Sequence, residues 1–194
     1  MHYLKCMIFK RSKLLAVFYG LVCHGIFLVA GAVMFSTILT GFQFSVGALE
    51  GLSAVAINFL LLIQFPIGHS FFLSKRGMRV LEIFAPKSYA KTLRTTIYAT
   101  IASMQLILLF SLWNFSGVFV WQIEMPANLI MILLNLASWA LLSISSIQAG
   151  YKVQTGSLGW TSVYQGKEPI FPDMPTRGMF SIIRQPIYLS FSLV

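Results

Sequence analysis

Long apolar stretches without a single charged residue alternate along this chain with short basic segments. Four stretches contain no Asp, Glu, Lys or Arg: 14–49, 51–74, 95–123 and 125–151. Each is long enough for a membrane helix, which needs roughly 20 mainly apolar residues. We place spans near 14–38, 54–73, 95–114 and 127–149, with the start of a fifth at 185–194. The pattern predicts an all-α fold, a polytopic bundle of transmembrane helices forming a single membrane domain over 1–194.

Composition supports a lipid-facing surface. Hydrophobic residues make up 57% of the chain and charged residues 10%, whereas a soluble domain carries about 25% charged residues. The first apolar stretch follows Lys10, Arg11 and Lys13, as a signal sequence would. Its apolar run is much longer than the roughly 7–15 residues of a signal peptide. We therefore interpret it as a retained membrane span.

The basic residues fall on one side of the predicted bundle. All 14 lysines and arginines lie in three segments, 5–13, 75–94 and 152–184, and the two remaining loops carry one glutamate each, Glu50 and Glu124. The positive-inside rule then predicts a cytoplasmic amino terminus and cytoplasmic loops at 75–94 and 152–185. The net charge of +9 lies in juxtamembrane segments. We therefore expect the lipid bilayer as a partner and do not expect nucleic acid.

Two further segments outside the spans have distinctive patterns. Residues 75–86 predict a short amphipathic turn, in which Met78, Leu81 and Phe84 face lipid while charged residues face water. Prolines and glycines between 154 and 178 predict an ordered loop rather than a helix, covering the cytoplasmic mouth of the bundle. The cysteines and histidines lack the spacing of a disulfide framework or a metal site, so we expect no metal.

Polar residues inside the spans allow two interpretations each. His24 lies ten residues into the first span, ~15 Å along the helix and near the bilayer centre. At that depth an ionisable side chain either serves function, here in a substrate cavity, or is neutral and hydrogen-bonded to a neighbouring helix. The fourth span has a polar face with Asn128, Asn135, Ser138 and Ser145. Such a face either packs against other helices or lines an internal cavity.

The segment around Pro186 begins a new helix, since proline suits a first helical turn. Arg184 and Gln185 form its entry, and Tyr188 lies within a turn of it. The free N–H groups of a helix amino terminus beside an arginine form an anion site. An arginine before a span also serves as a positive-inside anchor. Spacing alone leaves both interpretations open.

The run 178–188, Gly-Met-Phe-Ser-Ile-Ile-Arg-Gln-Pro-Ile-Tyr, resembles the Arg-His-Pro-x-Tyr signature of integral membrane methyltransferases. That superfamily includes isoprenylcysteine carboxyl methyltransferases, phospholipid methyltransferases, the NnrU and nurim families and methanethiol methyltransferases. Segments 19–28, 69–70 and 154–160 resemble the NnrU/nurim/methanethiol methyltransferase branch. The resemblance implies a multi-pass protein of the bacterial inner membrane. It also implies S-adenosylmethionine as cofactor and a small or lipophilic thiol or carboxylate as methyl acceptor.

The resemblance carries over to particular residues. It implies that Arg184, Gln185, Pro186 and Tyr188 help to form the cofactor pocket, with His24 as a candidate for the substrate cavity. No catalytic residue and no oligomeric state are predicted.

Two departures from the signature matter. Gln185 stands where the family has histidine, which removes any acid–base role there but leaves a positioning role. Only ten residues follow Arg184, too few for a complete fifth span. We therefore expect a chain truncated at its carboxyl terminus, with an incomplete cofactor site. The alternative hypothesis is a non-enzymatic NnrU/nurim-like accessory or scaffold protein of the membrane.

Overall fold

The computed structural model describes residues 2–42, 45–114 and 124–194, with side chains from Arg11 onward. Regular elements in these residues are helical, with one isolated β-bridge between Gly47 and Asn114. Short 3-10 turns cover Glu82–Phe84 and Gly178–Ser181. The helices are α1 (His2–Leu39), α2 (Gly51–Leu73), α3 (Lys75–Leu81), α4 (Arg94–Ser111), α5 (Ala127–Gln148), α6 (Tyr151–Gln154), α7 (Ser157–Gln165) and α8 (Pro186–Leu193).

In the described part of the chain, three helices are long and apolar enough to cross a membrane: Arg11–Leu39 of α1, all of α2 and all of α5. The predicted all-α fold with several helices able to span a membrane is therefore confirmed, as judged by helix length and composition. The helix α4 stands where a span was predicted over 95–114, but it runs from Arg94 to Ser111. Its threonines, serines and Gln105 lower its apolar character, and the count of four spans stays a prediction.

The helix α4 lies at the centre of the arrangement, because α1, α2 and α7 all pack against it. It runs parallel to α1, since Cys23 contacts Thr96 near one end and Met34 packs with Leu109 near the other. It runs antiparallel to α2. The helix α5 joins this group through Phe35 of α1, whose ring meets Trp139 edge to face at 5.4 Å.

Residues 75–84 form a helix and a 3-10 turn rather than a single amphipathic turn. The side chain of Ser74 caps α3 by accepting a hydrogen bond from the Gly77 amide. Leu81 is only 1% exposed and packs with Ala16 and Leu93, so the prediction that it faces lipid is wrong. The segment packs against α1 through Leu81, so this part of its apolar face covers protein instead of membrane. Phe84 is exposed, as predicted.

The prediction of a loop rather than a helix is wrong for residues 157–165, which form α7. Glycines stand at the two ends of this helix, where Gly156 and Gly166 adopt φ of +72° and +65°. Such left-handed backbone favours glycine and ends helices without breaking them inside. Gly159 lies within α7 because a side chain there would meet Thr96 Oγ1 at 2.6 Å.

The polar face of α5 packs against another helix, which is one of the two alternatives that the sequence left open. Ser138 and Ser145 are buried, and α5 packs against α8, where Ser190 is buried as well. Asn135 donates a hydrogen bond to the Val194 carbonyl at 2.9 Å. Asn128, nearer the start of α5, is exposed.

Candidate functional site

Arg184, Gln185 and Tyr188 form an exposed cluster around the start of α8. Pro186 occupies the first helical position and is buried, whereas Tyr188 is 69% exposed. The Gln185 side chain makes no capping hydrogen bond, while its carbonyl accepts one from the Leu189 amide at 3.2 Å. The remaining N–H groups of a first turn have no acceptor within their own helix. This arrangement has the features of an anion site, and anion binding here stays a prediction.

The end of α5 fixes the entry to this cluster. The amide oxygen of Gln148 accepts a hydrogen bond from the Met179 backbone at 2.8 Å. Gly178, with φ of +63°, lies so close that an added Cβ would meet that amide at 2.6 Å. Sequence reasoning missed Gln148, because a glutamine at the end of an apolar helix carries no signal of its partner.

His69 of α2 and Tyr98 of α4 form a polar pair that sequence reasoning also missed. Tyr98 Oη lies 2.7 Å from His69 Nε2, and the Phe65 ring packs 5.3 Å from the imidazole. The other imidazole nitrogen, His69 Nδ1, is buried and lacks a hydrogen-bond partner among the described residues.

Two further polar contacts continue along the interface between α2 and α4. Gln64 and Gln105 exchange hydrogen bonds of 3.0 and 3.1 Å. Asn58 accepts from the Asn114 amide and donates to its carbonyl, both at 2.8 Å. With the pair of His69 and Tyr98, they form three polar rungs between antiparallel helices. Paired polar residues in otherwise apolar helices are a signal that could have been read from the sequence.

His24 contacts α7. Its Nε2 accepts a hydrogen bond from Trp160 Nε1–H at 3.1 Å, and the two rings meet edge to face. Gly20 makes room for the indole, since an added Cβ would lie 2.8 Å from it. The structure thus shows the hydrogen-bonded arrangement, while a role of His24 in a substrate cavity stays a prediction.

The depth predicted for His24 was counted from Leu14 and stays a prediction, while the contacts of α1 give its position relative to the neighbouring charges. Cys23 Sγ lies 3.5 Å from the Thr96 carbonyl, and Thr96 is two residues from Arg94, which pairs with Glu82. At 1.5 Å per residue, His24 lies roughly 5 Å along the helix axis beyond Arg94. The first half of α1 lies beside Leu81 of α3 and beside α7.

An apolar cleft of about 230 Å³ lies between the end of α5 and the segment before α8. Its lining is apolar except for Lys152, and it comprises Gly150, Tyr151, Lys152, Leu158, Ile170, Phe171 and Pro172. Within the described residues, no three of the His, Cys, Asp and Glu side chains lie together as metal ligands would.

Two curated bacterial relatives are similar to nearly the whole chain. Methanethiol S-methyltransferase 1 of Bradyrhizobium diazoefficiens is 28% identical over 90% of this chain and 59% of its own length. Methanethiol S-methyltransferase of a Pseudomonas species is 23% identical over 93% of this chain and 70% of its own length. The chain thus spans less than two thirds of the length of the first relative.

No family model matches the chain, and no solved structure does. The similarity to the two relatives, together with the apolar helices, supports a membrane methyltransferase-like protein.

Proposed function

We propose that this protein is an S-adenosylmethionine-dependent integral membrane methyltransferase acting on a small or lipophilic acceptor with a thiol or carboxylate. The observation that carries the proposal is the similarity, over 90% or more of the chain, to two proteins named methanethiol S-methyltransferase. Their names favour a small thiol as the acceptor. The exposed cluster at the start of α8 supports a binding site for the charged end of the cofactor.

The residues present fit that charged end. The cofactor carries a carboxylate, and Arg184 beside the open first turn of α8 offers a guanidinium fork and free N–H groups to it. Tyr188 offers an aromatic face to a cationic sulfonium. When bound, the cofactor supplies an electrophilic methyl group on a positively charged sulfur. Gln185 donates and accepts hydrogen bonds but does not titrate, so its role is to position.

The chain's contribution to methyl transfer is then mainly geometric. An in-line displacement requires the acceptor and the methyl group to be held together in a site without water. Arg184 and Tyr188 orient the cofactor at the end of α8, while Gln148 holds the segment that leads into that helix. The apolar surface of the helices around this corner would admit a lipophilic acceptor from the bilayer.

We also propose a four-span topology with a cytoplasmic amino terminus in the bacterial inner membrane. Supporting this, Tyr98 and Gln105 of α4 hydrogen-bond with His69 and Gln64 of α2. Its first residue, Arg94, pairs with Glu82 in the basic loop that the charge pattern assigns to the cytoplasm. A helix paired in this way can lie in the membrane despite its polar residues.

Calorimetry on the full-length protein in lipid nanodiscs tests the proposal directly. We expect S-adenosylmethionine to bind, and Arg184→Ala to weaken binding by about ten- to a hundredfold, the usual value of a hydrogen bond to a charged group. Lys167→Ala removes an exposed charge of the same segment outside the cluster and serves as the matched control. Absence of binding, or equal weakening by both variants, would refute the site.

Methyl transfer from isotopically labelled cofactor to methanethiol and to a carboxylate acceptor is the second measurement. Labelled thioether or ester is the expected product. Cofactor binding without transfer to either class would favour the non-enzymatic accessory protein.

A further inference from the structure

We infer that residues 75–91 form a surface that binds the headgroups of anionic phospholipids. This surface, which we call the basic platform, contains five exposed cations: Lys75, Arg76, Arg79, Lys87 and Lys91. Two exposed apolar side chains, Ile83 and Phe84, lie between them along the chain. The platform shares no residue with the cluster at the start of α8, and lipid binding to it does not depend on methyl transfer.

The positive charge of the basic platform is not neutralised by the described part of the chain. Glu82 is the only acidic residue between Glu50 and Glu124, and its carboxylate pairs with Arg94, which is not one of the five cations. None of the five forms an ion pair with a described acidic side chain. A group of about four to eight lysines and arginines next to a membrane span attracts anionic lipid, by roughly fivefold in affinity per charge.

Contacts at two points place the basic platform across the end of the helix bundle. The helix α3 is separated from the candidate span α2 by Ser74 alone. A Cβ added at Gly77 would clash with the Phe71 carbonyl, so α3 lies tightly against the last turn of α2. Further along, the Tyr19 hydroxyl of α1 donates a hydrogen bond to the Phe84 carbonyl at 2.7 Å. The segment thus runs from the end of one candidate span to another, and residues that flank spans lie at the level of the headgroups.

Packing beneath the basic platform fixes its two groups of cations relative to each other. Leu81 and Leu93 are 1% and 0% exposed, and they share one core cluster with Ala16 of α1. Ala90, next to Lys91, is buried as well. The cations before Leu81 and those after it are therefore anchored to the same cluster. A surface that is ordered in advance loses little conformational freedom when it binds a ligand.

The exposed apolar side chains favour a lipid over a soluble anion. Ile83 is 77% exposed and Phe84 is 58% exposed. Large apolar side chains at a membrane surface insert between the headgroups and the upper parts of the acyl chains. A free phosphate ion or a purely acidic peptide would use only the cations, whereas an anionic phospholipid contacts the cations and the apolar side chains together.

Lipid binding to the full-length protein in neutral detergent, followed by native mass spectrometry, tests the inference. Phosphatidylglycerol, which is anionic, and phosphatidylcholine, which has no net charge, are titrated in parallel. We expect phosphatidylglycerol to bind about tenfold more tightly. Arg76→Gln combined with Arg79→Gln should weaken phosphatidylglycerol binding by about tenfold or more and leave phosphatidylcholine binding unchanged. Ile83→Ser should weaken the binding of both lipids by about tenfold.

The matched control is Lys167→Gln combined with Arg177→Gln. It also removes two exposed cations, so the net charge changes equally, but both lie outside the basic platform. Phosphatidylglycerol affinity should stay at the wild-type value. In the wild type, the preference for phosphatidylglycerol should weaken as ammonium acetate is raised, because the Debye length falls from about 30 Å at 0.01 M to about 3 Å at 1 M.

Equal affinity for the two lipids, a preference that salt does not change, or equal weakening by the two double variants would overturn the inference. Inorganic phosphate or polyglutamate that binds as tightly as phosphatidylglycerol would also overturn it, since the apolar part of the lipid would then contribute nothing. The salt series and these two competitors are measured on wild-type protein, so they decide the matter even where a variant does not fold.

Discussion

Replacing Thr96 by valine removes the hydroxyl group that joins α4 to the first turn of α7. Thr96 is fully buried. Its Oγ1 donates a hydrogen bond to the Gly156 carbonyl at 2.6 Å and accepts one from the Trp160 amide at 2.9 Å. Gly159 brings the α7 backbone close to the same atom. The Thr96 hydroxyl is therefore the main polar contact between the two helices in the described structure.

The expected loss in the free energy of unfolding follows from the Gly156 carbonyl and the Trp160 amide, which lose their hydrogen-bond partner. Valine has nearly the shape of threonine, but a methyl group cannot hydrogen-bond and does not fit at 2.6 Å from an oxygen. A buried polar group that loses its partner destabilises by about 1–3 kcal/mol. The Gly156 carbonyl and Trp160 amide are four residues apart and can partly pair with each other, as in a helix. We therefore expect Thr96→Val to lower the free energy of unfolding by about 2 kcal/mol.

The assay is reversible unfolding in mixed micelles by titration with a denaturing detergent. Thr100→Val, one turn further along α4, is the comparison. Its hydroxyl donates to the Thr96 carbonyl of its own helix and also hydrogen-bonds the Cys23 thiol, which is a weak partner. That carbonyl keeps its backbone partner, so we expect a loss below about 0.5 kcal/mol. Amide hydrogen exchange over 157–165 should also accelerate in Thr96→Val. Equal unfolding free energies of the two variants would refute the reasoning.

Two further predictions concern packing and topology. Gly77→Ala places a methyl group in a clash with the Phe71 carbonyl, a backbone atom, and should destabilise by about 1–3 kcal/mol. Gly25→Ala meets no neighbour and should stabilise its helix by roughly 0.5–1 kcal/mol. Unfolding titrations in which Gly77→Ala is as stable as Gly25→Ala would contradict the close contact described at Gly77. In a background without reactive cysteines, Glu50→Cys should react with a membrane-impermeant maleimide in intact cells and Lys167→Cys only after lysis, and the reverse pattern would overturn the proposed orientation.

The sequence predicted the long helices because their signal is local. An uncharged apolar stretch must satisfy its backbone internally in a membrane, and a helix does so without any partner. The short helix α7 gave no such signal, since its stability comes from tertiary contacts of Leu158, Gly159 and Val163. The glycines at the two ends of that helix were interpreted as part of a loop, which is wrong for the residues between them. The same limitation applies to Leu81, whose apolar side chain could equally face lipid or protein.

The candidate site likewise has a part that could be predicted from the sequence and a part that depends on tertiary contacts. Arg184, Pro186 and Tyr188 are neighbours along the chain, so a helix start with an adjacent arginine was readable from the sequence. His69 and Tyr98 are 29 residues apart, and their meeting depends on the rotation and register of two helices. Gln148 and Met179 are similarly separated. No periodicity within one helix fixes such a register.

The amide rungs between α2 and α4 account for how that register is held. Sliding one helix by a turn would leave the amides of Gln64 and Gln105 in an apolar interface without partners, which is unfavourable even though each such bond in a membrane is worth only about 0.6 kcal/mol on average. Asn58 and Asn114 impose the same register at the other end. The two rungs thereby position His69 against Tyr98 independently of any ligand. A pair held in this way can keep one buried imidazole nitrogen, His69 Nδ1, without a partner among the described residues.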